Sequence, residues 1–266
     1  MSRPPVTVIC PFAGPEDGLR RARAALGALR LRDGDEVVVA DNRPGAPAGA
    51  VASSYYARAV AAAAARGDWL VFVDADTEPD PDLLDAYFDP PPGERVGVLA
   101  GAIADVVVED TVTARYIAAR RKLDQATTLA HPSRPYAQTA NCAVRRVAFE
   151  AVGGWPEPVR SGGDADLCWR LAAAGWTIEA RPRALVRHRN RTTLGALLAQ
   201  LARHGSGMAW LDARWPGSFP APRPRDYAGR FAMLVRGVRR EPDPRFALID
   251  FLALWARDLG RLRPNR

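Results

Sequence analysis

The sequence predicts an α/β fold: a mostly parallel central sheet flanked by helices, with a C-terminal helical appendage. Three observations predict it. Residues 6–11, 36–40 and 69–73 are short apolar runs rich in β-branched side chains, the pattern of strands buried on both faces. Alanine-rich stretches with helical spacing, residues 19–31 and 54–66, separate them. The resulting order, strand–helix–strand–helix–strand, implies right-handed crossovers in a parallel sheet.

Further along, residues 82–88 read as a short helix and 96–108 as a glycine-broken strand. Residues 111–130 read as a helix with a basic middle, and 136–145 as a strand with a loop. A short helix over 146–152 stops at Gly153-Gly154, and an amphipathic helix runs over 164–174. Residues 176–186 read as a strand that Pro182 interrupts. Residues 194–203 and 207–214 read as two helices, 215–225 as a proline- and glycine-rich linker, and 231–239 and 245–262 as two last helices. The last one mixes Phe246, Ile249 and Trp255 with Arg257, Arg261 and Arg263. It either packs on the main domain or lies on an anionic membrane.

Composition sets bounds. The 266 residues, 48% hydrophobic, suffice for one large domain with a short appendage. Net charge is +7, a balance that suits nucleic acid, anionic lipid or a phosphorylated substrate. No stretch interleaves stacking aromatics with arginines, which argues against nucleic acid. The three cysteines lie far apart, without metal or disulfide spacing, and point to a reducing compartment. The first residues do not read as a signal peptide, and no apolar run approaches the roughly 20 residues that span a bilayer. The expected location is cytoplasmic, with peripheral contact at the inner face of the membrane left open.

The chemistry starts at Asp74-Ala75-Asp76, where the apolar run of residues 69–73 ends. At spacing two the carboxylates point to one side, outside the carboxyl end of a strand, where open α/β sheets bind ligands. Convergent carboxylates suit a hard divalent cation, and that cation suits a diphosphate; the competing role is to cap the next helix. Asp41, after the second strand, is either a turn residue or an acceptor for a base or ribose. Asp164 follows Gly162-Gly163 at a helix start, where capping competes with a binding role, and Asp166 falls in the same first turn. His188 stands at a strand end among arginines, a place for a metal or an anion.

In their order and spacing these residues resemble the nucleotide-sugar glycosyltransferases of family 2, which have the Rossmann-like GT-A fold. The matching segments run from the first strand, with Pro11 and Phe12 at its end, through residues 37–41, Ala57-Arg58, residues 72–76, residues 141–146, Val152-Gly153-Gly154-Trp155, Gly163-Asp164-Ala165-Asp166-Leu167 and Val186-Arg187-His188. The resemblance implies a GT-A domain over residues 1–214, with a donor half of about 1–105 and an acceptor half of about 106–214, followed by the linker and helices of 215–266. It implies donor contacts from Pro11, Phe12, Asp41, Arg58, Asp74, Ala75 and Asp76. Asp41 would meet the nucleobase and Arg58 the diphosphate. Asp76 and His188 would hold Mn²⁺ or Mg²⁺. Asp164 would be the general base of an inverting displacement, with Trp155, Gly163 and Asp166 on the acceptor side.

The implied partners are a nucleoside-diphosphate sugar, best a UDP-sugar, and a hydroxyl acceptor: a glycan, a lipid-linked glycan or a small molecule. The sequence departs from the family at Ala13, Asn42, Ala59 and Ala61, and at Gly163, where an acid often precedes the catalytic aspartate. The Gln-x-x-Arg-Trp block of processive synthases is absent, which implies transfer of a single sugar. Two alternatives remain: a non-catalytic nucleotide-sugar binder, and a haloacid-dehalogenase-like phosphatase, whose nucleophile motif residues 72–77 also resemble. Helix-start N–H groups are expected to keep Asp164 ionised at neutral pH.

Overall fold

The computed structural model describes residues 3–121, 123–131, 134–155 and 158–266. By its internal contacts the chain forms two units: Met1–Ala104 with Leu123–His188 and Arg266, and Asp105–Lys122 with Arg189–Asn265.

The first unit is built on a seven-stranded sheet. Its strands are β1 (Val6–Phe12), β2 (Glu36–Asp41), β3 (Trp69–Val73), β4 (Thr77–Pro79), β5 (Val96–Val106), β6 (Asn141–Arg145) and β7 (Thr177–Arg189), in the order β2-β1-β3-β6-β5-β7-β4. β1 pairs parallel with β2 and β3, as the crossovers through α1 (Glu16–Gly27) and α2 (Ser54–Ala63) require. Beyond β3 the sheet turns mixed: β6 is antiparallel to β3 and to β5, and β4 is antiparallel to β7. β1 and β3 are buried along their whole length, but β2 is only half-buried because it edges the sheet.

Short helices α3 (Leu83–Tyr87), α5 (Gln125–Leu129) and α6 (Arg146–Ala151) and the longer α7 (Gly163–Ala173) complete the unit. Trp69, Tyr87, Leu83 and Leu99 are among its largest fully buried side chains. One buried carboxamide joins several strands. Asn141 accepts from the Tyr87 hydroxyl at 2.6 Å and donates to the carbonyls of Ala102 and Ala184, each at 2.8 Å. The cysteines Cys10, Cys142 and Cys168 are free and buried.

Several expectations need correction. Pro182 does not interrupt β7, because β4 pairs only with Val186–His188; at Pro182 that side of β7 needs no N–H donor. The helix expected over 111–130 is two: α4 (Val112–Arg120) ends where Arg121 takes a left-handed φ of 45°, and α5 begins under an Asp124 cap. β4 itself is too short for its sequence to announce it.

The second unit holds α4, α8 (Leu194–Arg214), α9 (Pro224–Arg240) and α10 (Pro244–Arg261). α9 begins earlier than expected, inside the supposed linker, where Pro224 takes the first helical turn and Asp226 accepts the Arg223 N–H at 2.7 Å. α10 packs one face against α4 and α8 through Ile249 and Ala253, which cluster with Tyr116, Leu197 and Leu201. Asp250 accepts from the Tyr116 hydroxyl at 2.7 Å and from Arg120 at 2.6 Å. Among the described residues no helix is long and apolar enough to cross a membrane.

α8 runs unbroken through Gly205 and Gly207, where two helices were expected. Glycine there serves contact: a Cβ on Gly205 would lie 1.8 Å from the Arg257 carbonyl oxygen, and one on Gly260 would lie 1.9 Å from that of Ala202. The two helices therefore touch backbone to backbone. Gly205→Ala would gain about 1 kcal/mol of helix propensity. Overpacking costs about 1–3 kcal/mol or more, and here the obstacle is backbone that no rotamer relieves. The expected outcome is a lower thermal midpoint than wild type in a calorimetric melt.

Candidate active site

The ends of β1, β2 and β3 lie on one edge of the sheet, since the three strands are parallel. Pro11 and Phe12 close β1, both buried. The Phe12 ring packs closely on Gly14, whose Cβ would lie 3.0 Å away, and the Arg43 guanidinium sits 5.7 Å from its centroid. Asp41 pairs in register with Phe12. Its carboxylate accepts from the Arg43 backbone N–H at 3.0 Å and from Nη2 at 2.6 Å, and Arg43 reaches on to Glu16 at 2.9 Å. Arg43 holds the Asp41 carboxyl below its usual range. Sequence reasoning did not single out Arg43; its signal was the Asp-x-Arg spacing. Asn42, where the family often has a second acid, is buried and donates to the Val51 carbonyl at 2.8 Å, so it pins the loop.

β3 delivers Asp74, half-buried Ala75 and Asp76. The chain turns at once, with the Thr77 N–H and hydroxyl both donating to the Asp74 carbonyl, at 3.1 and 2.7 Å. Arg58, on α2 and only 3% exposed, is ion-paired with Asp74 through Nη2. Its Nε has no hydrogen-bond partner among the described residues, and its guanidinium lies 5.4 Å from the Tyr55 centroid. Asp76 meets His188 through a device the sequence hid. β4 pairs Thr77 with His188, which sets the buried His188 Nε2 3.3 Å from Asp76 Oδ2.

These two side chains offer one carboxylate oxygen and one imidazole nitrogen, a donor set that fits a divalent cation. Among the described residues no cluster of three or more His, Cys, Asp or Glu offers a fuller site. Any cation there must take further ligands from elsewhere.

Asp164 opens α7 behind Gly162, which takes a left-handed φ of 82° that favours glycine. Gly163 is needed for close approach: its Cβ would stand 2.8 Å from the Tyr55 ring. Trp155 holds the Gly163 carbonyl through its indole N–H at 2.8 Å, and it packs in a buried aromatic group with Tyr55, Phe72 and Phe149. Trp155 is thus a scaffold for the Asp164 turn.

The Asp164 carboxylate accepts from the Ala165 N–H at 3.0 Å, and the Tyr55 hydroxyl beside it favours the ionised form. The helix-start N–H of Ala165 does favour the ionised form, as expected. Burial outweighs it, along with Arg58 and Tyr55, and pushes the carboxyl above its usual range. Asp166 points inward instead: it is buried, paired with Arg170 at 2.8 Å, and Arg170 braces the Val152 and Gly154 carbonyls at 2.6 Å each. In this way it supports the turn.

The raised Asp164 pKa makes the charged carboxylate a cost to the fold. That cost is absent below the unfolded pKa of about 3.9, grows as pH rises toward the folded value, and is complete above it. Asp164→Asn keeps the size and removes the charge. It is therefore expected to raise the thermal midpoint at pH 7 and to lose that advantage near pH 3, a comparison two melts make. Tyr55→Phe removes a hydroxyl that favours the ionised form, and the acid limb of any Asp164-dependent activity should move to higher pH.

A family model described as glycosyl transferase family group 2 matches residues 69–255. The pre-mycofactocin glycosyltransferases of Mycobacterium tuberculosis strains CDC 1551 / Oshkosh and H37Rv are each 34% identical over 230 residues, covering 79% of this chain and 48% of theirs. The chain thus spans about half the length of these curated relatives. Among solved structures, the mannosyltransferase PcManGT from Pyrobaculum calidifontis, in complex with GDP-Man and Mn²⁺, superposes with a TM-score of 0.63 at 19% identity, over 98% of this chain and 88% of its own. The glucosyl-3-phosphoglycerate synthase of Mycobacterium tuberculosis, in complex with Mn²⁺, UDP-Glc and glycerol 3-phosphate, gives 0.51 at 20% identity, over 79% of this chain and 80% of its own. At these identities the two structures speak to fold alone. With its GT-A fold and a family match over most of its length, the chain belongs to glycosyl transferase family group 2.

Proposed function

We propose that the chain is an inverting, non-processive glycosyltransferase that moves one sugar from a nucleoside-diphosphate sugar to a hydroxyl acceptor. The observation that carries this reading is the placement of Asp164. Its carboxylate is raised in pKa by burial, lies beside the Tyr55 hydroxyl and is within the field of Arg58, which is itself paired with Asp74. A hydroxyl is a poor nucleophile, and a carboxylate with a raised pKa is a better base for it than an ordinary one. Asp164 takes the hydroxyl proton as the acceptor oxygen attacks the anomeric carbon. The bond from that carbon to the diphosphate breaks, and its electron pair leaves with the nucleoside diphosphate.

Arg58 meets that negative charge, and its Nε is a buried donor free to take a phosphate oxygen. Asp76 and His188 would hold a divalent cation, which when bound supplies Lewis-acid neutralisation of the leaving diphosphate. The imidazole favours Mn²⁺ over Mg²⁺. Asp41 would receive a base N–H once Arg43 yields, an arrangement open to UDP- and GDP-sugars alike. UDP-glucose and GDP-mannose, named with the structural relatives, are the donors to test, and pre-mycofactocin, named with the curated relatives, is the first acceptor.

Asp164→Asn should keep donor binding and lose transfer by about two orders of magnitude or more. Near-normal transfer would place the base elsewhere. Asp76→Ala should abolish metal-dependent donor binding in calorimetry. Because the protein supplies few ligands, Mn²⁺ should bind wild type much more tightly with nucleoside diphosphate than alone; equal affinities would count against the assignment.

A further inference from the structure

α9 is held to its unit by very few residues. Of its 17 residues only Arg230 is buried; Leu234 and Gly237 are half-buried. Tyr227, Phe231, Val235 and Val238 recur at i, i+4, i+8 and i+11, so they share one face. That face is open: Phe231 is 67% exposed and Val238 46%. α10 continues it. The Tyr227 and Trp255 rings lie 5.5 Å apart, and Trp255, Leu248 and Leu259 are exposed on the side of α10 away from buried Ile249 and Ala253. Arg230, ion-paired with Asp258, lies 4.4 Å from the Tyr227 ring and 5.3 Å from Trp255, and so fixes the join.

The rest of α9 is basic. It carries five arginines against one acid, Asp226, and Arg225, Arg236, Arg239 and Arg240 are exposed. An apolar, aromatic face flanked by arginines is the pattern of a helix lying in a membrane interface, with the long side chains reaching headgroups. A second copy of the chain is a poor occupant, since pairing two such faces sets arginines against arginines.

We propose that the outer face of α9, continued by Trp255 and Leu259 of α10, docks the chain peripherally on a membrane with anionic headgroups. The proposal rests on this surface alone and is independent of the transferase reading. Flotation of the full chain with vesicles tests it, comparing phosphatidylcholine with a mixture of phosphatidylcholine and phosphatidylglycerol. Binding is expected to the mixture and to weaken with salt.

Phe231→Glu, at an exposed position that leaves the thermal midpoint unchanged, should weaken binding at least about tenfold. The pair Arg239→Gln and Arg240→Gln should weaken it roughly 30-fold, and decides the matter if Phe231→Glu disturbs folding. The proposal is overturned by no flotation with either vesicle. It is equally overturned by unchanged binding of Phe231→Glu, which would mark charge attraction alone. A lipid-free dimer that Phe231→Glu dissociates in sedimentation would assign the face to a second copy instead.

Discussion

The Arg58 guanidinium organises the candidate site. A buried cation is costly unless its charge is answered, and here the answer is carboxylate. Asp74 pairs with it directly, and Asp164 lies within its field on a different element. Between them stands Tyr55, whose ring lies beside the guanidinium and whose hydroxyl reaches Asp164. One charge thus connects the Asp-x-Asp turn to the start of α7. The glycine at 163, the indole of Trp155 and the left-handed Gly162 all serve to bring that helix start close enough to Tyr55.

Asp164 shows how burial and hydrogen bonding compete. Its partners favour the ionised form, and burial disfavours it more. Asp166, two residues on, is more deeply buried, and Arg170 pairs with it and turns it to structural use. Two acids in one helical turn therefore have different fates, since Arg170 pairs directly with Asp166 while Arg58 reaches Asp164 only through its field. The same contrast separates Asp41, held by Arg43, from Asp76, which faces the imidazole of His188.

Much of this was legible in the sequence because it rests on local pattern. The apolar runs of β1 and β3, the Asp-x-Asp at a strand end and the glycines before Asp164 each announce a backbone event within a few residues. What stayed hidden depends on pairing across distance. Three residues of β4 carry no strand signal, yet their register with β7 is what brings His188 to Asp76. Tyr55 reads as one more aromatic on a helix, and Trp155 as a family marker, until their packing is seen. Gly205 reads as a helix breaker because the sequence does not show the Arg257 carbonyl against it.

The buried cysteines carry a last consequence. Burial pushes Cys10 and Cys168 up to about 12 and Cys142 well above the usual thiol value. At pH 7 these thiols stay protonated, and the thiolate is the reactive form. The folded chain therefore presents almost nothing for a peroxide or an alkylating reagent to attack. Thiol labelling becomes a clock for opening of the sheet and of α7, since Cys10 lies in β1, Cys142 in β6 and Cys168 in α7.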